Sequence, residues 1–189
     1  MKKILISLLT VMLFGVADVL AYTSKPPIKY GHILKEDLQM STYKPDPSAS
    51  AVVLCDYGTV RVGPRTEYIR HVRIKILKED GLKYAKIEIP YRFYNHYDNI
   101  QGLKGQTFNV TENGKIVKSK TSGSDIKEVD VDNKNRKMVI TLPDVKVGSV
   151  IEYKYTIVSL DLVKLRDWYF QTTIPTIWSE FRVSVPFKL

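Results

Sequence analysis

One cysteine, three histidines and no charge-free run longer than 14 residues set the first limits on this 189-residue chain. A single cysteine excludes an internal disulfide and the cysteine-rich zinc sites. His32, His71 and His96 are too scattered for an H-E-x-x-H or paired-ligand motif, so neither a metal nor a cofactor is expected. Acidic residues are in deficit, 20 against 29 Lys plus Arg, for a net charge of +9. Such a charge favours anionic partners without choosing among nucleic acid, lipid headgroups and acidic glycans. The hydrophobic share of 44% is that of a chain able to bury a core.

The charge-free run itself, residues 4–17, follows Met1-Lys2-Lys3 and precedes the small residues that end in Ala21. It is shorter than the roughly 20 apolar residues that a membrane-spanning helix needs. The pattern is that of a secretory signal peptide, residues 1–21, cleaved after Ala21. A periplasmic or secreted location without a transmembrane anchor follows, and a nucleic-acid partner is not expected. Cleavage removes two lysines and one aspartate, so the charge falls from +9 to +8.

Residues 22–50 read as an extended, proline-containing lead-in in which only Lys35 to Met40 can form a helical turn or two. From Ala51 to Leu189 period-two alternation dominates. Tyr68, Val72, Ile74 and Ile76 share one parity, with His71, Arg73 and Lys75 on the other, which predicts a half-buried strand. The pattern returns at Ala85/Ile87/Ile89, Met138/Ile140/Leu142, Ile151 to Ile157, Trp168/Phe170/Ile174 and Phe181 to Phe187. Glu79-Asp80-Gly81 and Asn113-Gly114 predict turns between antiparallel neighbours. Short strands without intervening helices predict an all-β fold, an antiparallel β-sandwich over 51–189.

Few positions suggest chemistry. Cys55 lies in the apolar run Val52 to Asp56, which predicts a buried thiol, and no histidine is spaced to activate it. Glu128, Asp130 and Asp132 alternate with valines as on a solvent-facing strand, and Lys134 and Asn135 break any calcium-loop pattern. Between Arg61 and Lys86 eight basic residues face three acidic ones; if Arg73 and Lys75 share an exposed sheet face, that face could meet an anionic glycan or lipid headgroup. Pro90 to Asn99 combines aromatic rings with amide and carboxylate groups, the set that stacks on a sugar and hydrogen-bonds its hydroxyls. Tyr91, Tyr94, Asn95, Tyr97 and Asp98 are the candidate ligand-binding residues. The competing account folds Tyr91, Phe93 and Tyr97 inward to plug one end of the sandwich. Trp168 is expected in the core, and Trp178 at a sandwich edge or facing a neighbouring domain.

Several ordered segments carry a family resemblance: Tyr30-Gly31, Lys35 to Met40, Asp46 to Leu54, Arg73 to Leu77, Leu103-Lys104-Gly105, Leu142 to Tyr153, Asp167 to Gln171 and Ile174-Pro175. The chain resembles the uncharacterised β-rich domain that precedes transglutaminase-like domains in secreted proteins of Gram-negative bacteria. The resemblance implies a β-sandwich similar to the N-terminal β-domain of zinc aminopeptidases, with no catalysis of its own. The Cys-His-Asp chemistry would lie in a downstream transglutaminase-like domain, the expected partner, and no catalytic residue carries over to this chain. A docking or substrate-recognition role follows. The alternative is an independent carbohydrate-binding module for cell-envelope or extracellular glycans, or for an anionic envelope polymer. The sequence stops at Leu189 inside an apparent strand, so a continuation beyond it is expected.

Overall fold

Alternation of β-branched and aromatic residues with polar ones builds nine strands, and the computed structural model describes them within residues 26–161 and 165–186. The expected signal peptide and its cleavage point lie outside the described residues. In chain order the elements are α1 (Lys35–Gln39), β1 (Ala51–Arg61), β2 (Thr66–Ile76), β3 (Lys86–Arg92), β4 (Asp98–Val110), β5 (Ile116–Lys120), β6 (Ile126–Asp130), β7 (Asn135–Thr141), β8 (Val150–Ser159) and β9 (Ser179–Ser184). A six-stranded sheet in the order β5-β4-β8-β2-β1-β9 packs on a three-stranded sheet, β3-β7-β6. This is the expected all-β sandwich. Val72, Ile74, Ile151, Tyr153 and Ile157 of the large sheet meet Ile89, Ile140 and Leu142 of the small side.

Three local expectations are corrected. Glu79 to Ala85 forms a 3-10 helix instead of a tight turn, and β3 leaves for the second sheet to pair with β7. By contrast Asn113-Gly114 does turn β4 into antiparallel β5, with Gly114 at φ +73° as such a turn requires. β9 joins β1 in parallel, not antiparallel, after the connection 160–178, a length suited to the crossover that parallel strands need. Trp168, Phe170 and Ile174 form no strand; only an isolated bridge joins Thr176 to Val53, and Phe170 is 56% exposed.

The largest correction concerns β2. Its polar face, His71, Arg73 and Lys75, is buried beneath residues 29–48 of the lead-in, which cross the outer face of the large sheet. An irregular segment carries carbonyls that no ladder satisfies. Cations on and just after β2 supply the donors: Arg73 to the carbonyl of His32 (2.6 Å), Lys75 to that of Leu38 (2.7 Å) and Lys78 to that of Ser48 (2.8 Å). Glu152 of β8 sits at the centre of this interface. It accepts from His71 Nε2 (2.8 Å), Arg73 Nη2 (2.8 Å), the Gly31 amide (2.8 Å) and Gln106 Nε2. A smaller apolar cluster, Leu38, Val52, Leu54, Leu77, Phe108 and Val150, completes the seal.

Candidate functional site

At one end of the sandwich, the end of β3, the loop 93–97, the start of β4 and the segment after β8 converge. Asp98 is the hub. Its buried carboxylate accepts from the Arg92 amide (2.9 Å), Arg92 Nε (3.3 Å) and Arg166 Nη2 (2.6 Å). Burial pushes its pKa up, but hydrogen bonds from Ser159 and the Arg92 amide, with the Arg166 charge, outweigh that and hold it below the ordinary aspartate value. Arg92 also pairs with Asp161 (3.2 Å) and lies 4.1 Å from the Tyr97 ring centre.

The five sequence candidates therefore divide. Tyr91 is buried with its hydroxyl on Glu128, Asp98 is buried in its ion-pair hub, and Tyr97 lies half-buried under Arg92. Phe93 is capped by the Arg136 guanidinium at 3.3 Å. Tyr94, 56% exposed, and Asn95 face solvent together with His96. Asn95 and His96 both sit at φ +52°, a left-handed conformation that costs a non-glycine residue about 1–3 kcal/mol and is retained where surrounding structure imposes it. The amides of Phe93 and Tyr94, both on the Lys134 carbonyl (2.8 and 3.2 Å), hold the loop in place.

The concave surface lies beside that loop. A groove of about 470 Å³ runs between Tyr91 and Arg92 on one bank and Asp161, Leu165, Asp167 and Tyr169 on the other, so Tyr91 alone of the five candidates lines it. Tyr169 is 70% exposed. An exposed ring, two carboxylates, the guanidiniums of Arg92 and Arg166 and the nearby Asn135 amide form a hydrogen-bonding set for a polar ligand. The signal for it was present in Asp167-Trp168-Tyr169, but alternation placed that run in a core strand. A narrower hollow of about 190 Å³ opens between the sheets, walled by Tyr68, Ile89, Tyr155, Ile157 and Trp168.

Cys55 is 2% exposed on β1, and burial, reinforced by Asp56 beside it, pushes its thiol up to about 12. The native protein is expected to resist iodoacetamide at pH 8 and to take up one equivalent once unfolded in urea; modification of the folded chain, followed by intact-mass spectrometry, would contradict this placement. His71, the buried histidine, is bound to Glu152. The acidic residues of β6 are solvent-exposed, but not through alternation: Glu128 and Asp130 lie on the sheet face that carries Ile126 and Ile140, where both pair with Arg136, and Val129 on the opposite face is exposed as well. Among the described residues no helix is long and apolar enough to cross a membrane.

The geometry defines an all-β sandwich domain with a polar groove at one end. The chain belongs to the family DUF3857, a domain of unknown function with a solved structure, whose model matches residues 64–189. Among solved structures it is similar to a protein of Parabacteroides distasonis ATCC 8503 described as a candidate protease, at 19% identity and a TM-score of 0.56. The match covers 73% of this chain and 29% of that protein, so the chain spans under a third of its length, and the likeness is one of fold. No curated protein matches the chain.

Proposed function

We propose that this chain is a non-catalytic, exported β-sandwich module that works in docking or substrate recognition beside a transglutaminase-like domain of a longer protein. The observation that carries this reading is the run of exposed apolar side chains late in the chain: Tyr169, Phe170, Ile177, Trp178 (51% exposed), Val183 and Val185. Single exposed apolar residues are ordinary, but a concentration of large ones on one segment is the mark of an interaction surface. The similar P. distasonis protein, in which the matched domain is 29% of the chain, agrees with a module inside a larger molecule. The buried, high-pKa thiol of Cys55 is not poised to act as a nucleophile, in keeping with this reading.

An immunoblot of the native cell envelope, with an antibody against residues 22–189, is expected to show a band well above the 21.7 kDa of this chain. The purified chain is expected to show no peptide hydrolysis or acyl transfer. A native band at or below that mass, or turnover by the isolated chain, would overturn the proposal. The second reading, an independent carbohydrate-binding module, is favoured by the groove with Tyr169, Asn135 and Asp167 and by the exposed Tyr94 and Asn95. It is tested by envelope-polysaccharide binding of Tyr169→Ala and Tyr94→Ala.

A further inference from the structure

Of the eight basic residues between Arg61 and Lys86, Arg73 and Lys75 are buried and Arg70 is half-buried, while the other five lie at the surface. Between Arg61 and Lys86, Arg61 pairs with Glu67, Arg70 with Asp56, Arg73 with Glu152 and Lys86 with Glu88, while Lys75 and Lys78 hold lead-in carbonyls. Elsewhere most lysines have no carboxylate partner among the described residues, and two of these, Lys104 and Lys154, are brought together by the sheet. Lys154 of β8 and Lys104 of β4 stand directly opposite one another in the ladder. Like charges in that position are destabilising. What they share is a ring: the Lys104 and Lys154 ammoniums lie 4.8 and 5.4 Å from the centre of Tyr30. His71, opposite Lys154 on β2, extends the row, but it is engaged by Glu152. Glu152, two residues along β8 on the same face, already accepts four donors and is buried.

Next to this pair the ladder is interrupted. The β4–β8 register slips between Gln101 and Lys104, where Gly102 takes φ +60° and Gly102-Leu103 bulges out of the pairing. The interruption leaves a hollow of about 290 Å³, lined by Ile69, Gly102, Leu103, Lys104, Lys154 and Thr156 among others. Two ammoniums that share one ring and no carboxylate, a hydroxyl and a broken backbone ladder around one depression are complementary to a compact, doubly charged oxyanion.

We propose that this hollow binds a phosphoryl group, held by Lys104 and Lys154 with the Thr156 hydroxyl beside them. The site lies on a different surface from the groove and from the apolar run, and it does not depend on the docking reading. Free phosphate, a phosphorylated soluble sugar and a phospholipid headgroup share the chemistry it recognises.

The test is isothermal titration of the full chain with inorganic phosphate, together with co-sedimentation with phosphatidylcholine vesicles that contain or lack phosphatidic acid. Lys104→Gln and Lys154→Gln are each expected to weaken binding about tenfold, the loss of one hydrogen bond to a charged group. Lys120→Gln, on the exposed edge strand β5, is expected to leave binding unchanged; circular dichroism confirms that all three variants fold. Binding of phosphate places the source in solution, and binding only of phosphatidic acid vesicles places it on a membrane. Absence of both, or binding equally strong in the Lys104 and Lys154 variants, overturns the proposal.

Discussion

Replacing Glu152 by alanine is expected to destabilise the domain by about 3–5 kcal/mol, the cost of stripping one partner from a buried ion pair. The effect is large because four donors converge on one carboxylate, two of them from β2, one from β4 and one from the lead-in. Without it the Arg73 guanidinium stays buried with its carbonyl contacts and the 3.6 Å approach of Asp37 as its remaining compensation. Lead-in and sheet are then held by the Lys75 and Lys78 contacts and the small Leu38 cluster. Urea denaturation reads the stability, and limited proteolysis near residues 29–34 reads release of the lead-in. The same group predicts a pH dependence. Burial raises the Glu152 pKa, but hydrogen bonds from His71, the Gly31 amide and Arg73 outweigh it and hold the group at about 2, against 4.5 ordinarily. A folded-state pKa below the unfolded one gives stability that is complete above pH 5 and is lost as pH falls toward 2. The wild type should therefore lose about 3 kcal/mol from this group across that window. Glu152→Ala should lack that component, and equal acid slopes for the two proteins would contradict the assignment.

Much of the fold could be read from alternation, because a period of two is a direct consequence of strand geometry and survives any tertiary context. Hence β2, β3, β7 and β8 fall where Tyr68, Ile87, Ile140 and Tyr153 place them. Alternation separates two faces but does not say what covers each. For β2 the apolar parity faces the second sheet, and the polar parity faces an irregular segment whose carbonyls need cations. His71, Arg73 and Lys75 have the composition of a solvent face and the burial of a core. The Trp168 run fails differently. Its alternating rings meet a glycine floor and an exposed groove, so Trp168 packs as a single wedge while Tyr169 and Phe170 remain outside. In the Tyr91 to Asp98 stretch the residue types suited to a sugar are also those that build a satisfied loop. Only distances separate the buried Tyr91 and Asp98 from the exposed Tyr94 and Asn95. The facing of Lys104 and Lys154 depends on a bulge, and a one-residue register slip leaves no trace in composition.

Gly58→Ala is expected to destabilise the domain by about 1–3 kcal/mol, the range for forcing a methyl into a filled site. Gly58 on β1 is opposite Arg70 on β2 and Phe181 on β9, so these three residues form one row across the sheet. The Trp168 indole stands on that row. It stacks on Phe181 at 4.9 Å and 20°, has the Arg70 guanidinium 4.9 Å from its centre, and donates from Nε1 to Ser179 Oγ at 3.1 Å. A Cβ on Gly58 would lie 2.5 Å from Trp168 Cζ3, 2.8 Å from Cη2 and 3.0 Å from Phe181 Cδ2. The requirement is for space: the methyl must lift the indole, which joins the segment after β8 to β9. Loss should thus be concentrated in β9 and the connection before it, with faster amide exchange at Phe181 and Val183 than in β2 or β8. Trp168→Ala removes the ring that the methyl strikes. In the double variant the methyl at position 58 should cost little, so the two changes together should cost clearly less than their sum. A double-mutant cycle by urea denaturation measures this directly. Strict additivity would mean that Gly58 and Trp168 are not in contact, and that β9 is held to β1 by its ladder alone.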